Sequence, residues 1–149
     1  MDTGRHGVAR CTGRLLVGLL CGIAAGACDF RPSAPESRAE YFVEKLIHEP
    51  QAVDELRSVA RLAEGESPDS LANDLPTRTA LTYLRARQRL GAKFGLHVAG
   101  TQQPAPDTRV VSVVVSEGTA VLNEAAAVRF QVDLQKQEDA WLVTRLRSD

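Results

Sequence analysis

The stretch Val128-Arg129-Phe130-Gln131-Val132-Asp133-Leu134-Gln135-Lys136-Gln137-Glu138-Asp139-Ala140-Trp141-Leu142-Val143 alternates apolar and polar residues with a period of two. Val128, Phe130, Val132 and Leu134 fall on one side of a strand, and Arg129, Gln131, Asp133 and Gln135 on the other. One side packs on something and the other meets water. Lys136-Gln137-Glu138-Asp139 reads as a polar turn that returns the chain into Trp141-Leu142-Val143-Thr144-Arg145-Leu146. Upstream, Phe94, Leu96 and Val98 alternate with Gly95, His97 and Ala99. Val110 to Val115 is a β-branched run broken only by Ser112, as expected of a central strand covered on much of both faces. Four strands joined by hairpin-length loops imply an antiparallel sheet.

The apolar side of such a sheet needs a partner, and the residues before it supply helices. Ser37-Arg38-Ala39-Glu40 has capping-box spacing, and Ala39, Phe42, Val43, Leu46 and Ile47 recur on one helical face until Pro50. Pro50 suits the first position of a second helix, with Val53, Leu56, Ala60 and Ala63 as its stripe and Gly65 as its stop. Ser67-Pro68-Asp69 starts a short turn through Leu71. Thr77 then begins a longer helix that carries Leu81, Leu84 and Leu90 and ends at Gly91. Helices first and strands afterwards predict an α+β domain, with the helices packed on one face of the sheet.

This order, closed by an alternating hairpin whose tryptophan opens the final strand, resembles the nuclear-transport-factor-2-like superfamily over residues 37–147. The resemblance implies a curved, cone-like sheet with N-terminal helices on one face. Members of that superfamily include ketosteroid isomerases, polyketide cyclases and many non-catalytic lipoproteins and secretion-system components, so fold constrains function weakly here.

The first residues give an address. Arg5, Arg10 and Arg14 precede an uncharged run from Leu15 to Ala27, 13 residues long, which leads into Cys28. A positive start, a short apolar run and small residues before a cut describe an export signal; a spanning helix needs about 20 apolar residues. Ala25-Gly26-Ala27-Cys28 resembles the lipobox of bacterial lipoproteins, with Ala25 where Leu is usual, and that implies lipidation at Cys28. A plain secretory peptide cut at the same bond is the alternative. Cys11 and Cys21 fall in the removed part, which leaves Cys28 without a disulfide partner. The expected organisation is a signal peptide over 1–27, a proline-containing tether over 28–36 and one domain over 37–147. Asp29 resembles an inner-membrane retention signal.

Composition excludes some classes. Removing residues 1–27 takes away three of 18 basic and one of 19 acidic residues, so the mature chain carries about 15 against 18. That balance does not suit a nucleic-acid binder. His48 and His97 have no second histidine or carboxylate at ligand spacing, so no metal and no cofactor are expected. No Gly-x-Ser-x-Gly elbow or phosphate-cradling glycine loop occurs. The isomerase-type relatives invite a comparison with Tyr41 and Asp133, but Asp133 belongs to the wet side of its strand. No catalytic residue is expected.

Two binding surfaces remain. An apolar space between helices and sheet is expected to be lined by Phe42, Leu46, Leu84, His97, Val113, Phe130 and Val132. Arg78, Arg85 and Arg89 recur on one stripe of the last helix and suit anionic lipid headgroups or an acidic partner; pairing with Glu40, Glu44 or Asp54 is the blander outcome. The sequence therefore points to an exported, lipid-anchored, non-catalytic binding or scaffold domain. Its expected partners are the membrane, through the lipidated N-terminus, and an envelope protein or a small apolar ligand. A small periplasmic enzyme or carrier with an apolar pocket is the second reading, and an adaptor with a filled core the third.

Overall fold

The computed structural model describes residues 33–118 and 127–149. Residues 1–27 (expected as a signal peptide), Cys28 and most of the expected tether lie outside the described residues. The chain runs through α1 (Pro35–His48), α2 (Val53–Val59), a 3-10 turn (Pro68–Leu71), α3 (Leu75–Arg89), β1 (Phe94–Ala105), β2 (Thr108–Glu117), β3 (Val128–Gln137) and β4 (Ala140–Ser148). The strands form one antiparallel sheet in the order β1-β2-β3-β4. This is the expected α+β architecture.

Helix α1 starts two residues before the Ser37 capping box. Pro35 occupies the first helical turn, where its missing N–H is not needed, and no side chain caps this end. Ala39, Phe42, Val43, Leu46 and Ile47 are all fully buried, so the 3.6-residue stripe is the one that packs. Just before it, Arg38 is buried too, and its Nη1 donates to the Trp141 carbonyl at 2.7 Å.

Helix α2 is shorter than its apolar stripe predicts. It stops at Val59, because Ala60 turns extended and forms a parallel bridge with Val143 of β4. The Arg61 N–H donates to the Val143 carbonyl at 2.8 Å. The open edge of β4 supplies unpaired backbone groups, and pairing with them outweighs the strong helix preference of Ala60-Arg61-Leu62-Ala63-Glu64. Ala63 is exposed as a result.

Helix α3 begins at Leu75, with Asp74 as its cap. The Asp74 carboxylate accepts from the Thr77 N–H at 2.8 Å and from Thr77 Oγ1 at 2.6 Å. Thr77 is therefore an interior residue of the first turn, fully buried, and its Oγ1 accepts from the Ser148 N–H at 2.7 Å. At the other end Gly91 takes φ +90°, its N–H bonds the Gln88 carbonyl, and Ala92 N–H bonds that of Arg87. Those two bonds make a Schellman stop, which needs a left-handed residue and so favours glycine.

The inner face of the sheet carries Val111, Val113 and Val115 of β2, Phe130, Val132 and Leu134 of β3, and Val143 and Leu146 of β4. In register, Val113 faces Phe130 and Val111 faces Val132, so the period-two reading of β3 holds residue by residue. Register breaks fall between Asp133 and Leu134 and twice in β1, the kind of irregularity that bends a sheet. The β1–β2 hairpin is longer than expected, and residues 99–107 are all exposed.

Candidate functional site

The expected apolar space is occupied. Phe42, Leu46, Leu84, Val113, Phe130 and Val132 are each at most 2% exposed and belong to one core cluster. They fill the interior with one another instead of lining a pocket. His97 is placed elsewhere: β1 turns Phe94, Leu96 and Val98 toward the helices and His97 outward, opposite Val114. The sequence alternation already implied that orientation, and His97 leaves the pocket set.

The candidate acid–base groups are held in ion pairs and hydrogen bonds. Tyr41 donates its hydroxyl to Glu55 Oε2 at 3.1 Å, and Lys45 Nζ reaches the same oxygen at 2.9 Å and Glu49 Oε2 at 3.0 Å. Partial burial, followed by the Glu55 carboxylate, pushes the Tyr41 hydroxyl above its ordinary value. The hydrogen bond from Lys45, helped by that from Tyr41, holds Glu55 below the usual carboxylate range. Lys45 is pushed up in turn, chiefly by Glu55. Each group is thus locked into its usual charge state near neutrality, the opposite of a poised catalyst. Asp133 lies on the outer face, where Arg147 Nη2 meets its Oδ1 at 2.7 Å. His48 sits at the end of α1 against Phe94, ring centroids 6.4 Å apart.

The arginine stripe divides. Arg85 turns inward: Nη1 and Nη2 grip the Asp69 carboxylate at 3.0 and 2.7 Å, while Nε and Nη2 donate to the Leu46 carbonyl at 3.0 and 2.8 Å. It ties α3 to the 3-10 turn and to α1, and it presents no charge to a partner. Its acid is Asp69, not Glu40, Glu44 or Asp54; Asp54 pairs with Arg57. Arg78 and Arg89 remain exposed. Arg87, on the other flank, is bound by Glu117, whose hydrogen bond raises the guanidinium still higher.

The same helix carries a surface that the leucine pattern did not reveal. Among the described residues, the large apolar side chains left exposed are Leu75 at 76%, Tyr83 at 53% and Leu90 at 80%. All three stand on α3 or at its C-cap. Leu90 was expected in the buried stripe with Leu81 and Leu84. It lies six residues beyond Leu84, roughly 240° round the helix, and so points to the opposite side. Leu75 and Tyr83, with Pro76, Thr79 and Ala80, border a shallow groove of about 600 Å³ closed by Ala127, Val128, Ser148 and Asp149. A second hollow continues along the helix past Arg78, Thr82 and Ala86.

The sequence matches no protein-family model and no curated protein. Among solved structures, the fold is similar to a Campylobacter jejuni protein described as a candidate NTF2-like transpeptidase, at 19% identity and TM-score 0.49. That similarity covers 75% of this chain and 98% of the other. A designed β-sheet protein solved by NMR is similar at 18% identity and TM-score 0.33, covering 75% of this chain and 82% of that one. Neither likeness carries an activity over to this chain.

Proposed function

We propose that this chain is an exported, lipid-anchored domain of the nuclear-transport-factor-2-like kind, and that it works at the cell envelope by binding through the outer face of α3. One observation carries the reading. The space where relatives would hold a ligand is filled by core side chains, whereas the exposed large apolar residues gather on one helix. An isolated exposed leucine is ordinary; two leucines and a tyrosine on one helix face, with Leu75 and Tyr83 beside a groove, mark an interaction surface. Anchoring through Cys28 rests on the arginine-led apolar segment and the small residues before the cysteine.

A photo-crosslinking amino acid placed at Tyr83 of the full chain, in cells of its own kind, tests the surface. Adducts are expected at position 83 and none at position 102, which is exposed on the far end of β1. Equal yields at the two positions would remove α3 as the working face. Anchoring is checked by mass spectrometry of the mature N-terminus, where an unmodified Cys28 would overturn it.

A further inference from the structure

We infer that the outer face of α3 rests on an anionic lipid surface. The inference builds on the envelope reading above and names the partner of that same face. At 3.6 residues per turn, Leu75, Thr79, Tyr83, Ala86 and Leu90 fall within about 80° of one another. Arg78 and Arg89 lie within about 20° of each other along one border of that stripe. Both are exposed and neither has an ion-pair partner among the described residues, while the other two arginines of the helix are bound by Asp69 and Glu117. Helix α3 contains no acidic residue at all. Leucines and a tyrosine flanked by unpaired arginines have the chemistry of a helix that lies in the headgroup layer.

Charge selects this occupant over a second copy. Two such faces laid together would bring two arginines from each copy against a single groove carboxylate, Asp149, and leave a net repulsion. The mature chain is about −3 overall, so any preference for an anionic surface must come from this local patch. The groove is shallow and open, between α3 on one side and the start of β3 and end of β4 on the other, so it forms no closed socket for a single side chain.

The full chain is co-sedimented with vesicles of phosphatidylcholine alone or with roughly one-third phosphatidylglycerol. Its apolar N-terminal segment contributes to binding in both, so the quantity read is the gain from the anionic lipid. A gain on the order of tenfold is expected at low salt, shrinking as salt rises. The double variant Arg78→Glu/Arg89→Glu should lose most of that gain while its thermal unfolding is unchanged. Arg129→Glu/Lys136→Glu, the same charge change on the sheet, should keep it. Absence of the gain, or equal loss in both double variants, overturns the inference. In the crosslinking experiment, lipid adducts at position 83 support it. A discrete protein adduct at 83 overturns the lipid assignment but leaves the binding reading standing, and no adduct there overturns both.

Discussion

Helices α1 and α3 are almost equal in length, at 14 and 15 residues, yet they use their apolar residues in opposite ways. Every large aliphatic or phenylalanine side chain of α1 faces the sheet and is fully buried. In α3, Leu81 and Leu84 go inward, while Leu75 and Tyr83, with Leu90 at the cap, go outward. The contrast extends to charge. The buried Arg38 of α1 and the inward Arg85 of α3 both donate to backbone carbonyls, so each stitches elements together. Arg78 and Arg89 do no such work. Helix α3 thus sets exposed apolar residues beside two exposed arginines, and the binding face proposed above rests on that difference.

The largest test of the contrast is Phe130→Ala, which removes a fully buried ring beneath α1. It should lower stability by about 3–5 kcal/mol in denaturant titration. Gln131→Ala, next door on the outer face, should cost less than about 0.5 kcal/mol. Equal effects would mean that the interior is not the filled core described. Thr77→Val comes next, because it leaves the shape but strips the hydroxyl that links Asp74 to the Ser148 N–H. A cost of about 1–3 kcal/mol is expected.

Asp74→Ala should cost about 1 kcal/mol as a lost cap. The hydrogen bonds from Thr77 hold the Asp74 carboxyl below its usual range. A depressed carboxylate contributes stability above its unfolded value, near 4, and loses it as pH falls through the lower folded value. The gap between parent and variant should therefore close on acidification below about pH 4, measured by thermal melts across pH. A gap that widened in acid would show that the cap is not the ionised carboxylate. The smallest effect on stability belongs to Leu90→Ser, below about 0.5 kcal/mol, since 80% of that residue is already in water. A large loss there would move Leu90 back into the core and erase the difference between the two helices.

How much of this was readable varies with the range of the interactions involved. The stripe of α1 and the alternation of β3 are local patterns, and both match the burial found, down to Ile47 and Leu134. The end of α2 was not readable, because Ala60 leaves the helix to meet Val143, a residue 83 positions later. Arg85 shows the same limit: the partners that turn it inward, Asp69 and the Leu46 carbonyl, belong to other elements. Leu90 and His97 are different. Their angular positions were implicit in helix and strand geometry, and a strict wheel for α3 would have put Leu90 outside. The expected pocket proved to be filled for a packing reason, since period identifies which side chains face inward but not whether they leave room between them.

One contact sets a condition on how the molecule comes together. The Arg38 guanidinium closes on the Trp141 carbonyl across a separation of 103 residues. A ribosome delivers α1 long before it delivers β4, so this contact of α1 forms only once β4 has emerged. Its apolar stripe is in the same position, waiting for strands that come last. Long-range closure of this kind is slow, because loop entropy must be overcome before any contact compensates. Closure of α1 onto β4 is thus a late event in synthesis, and the Arg38 contact is its marker.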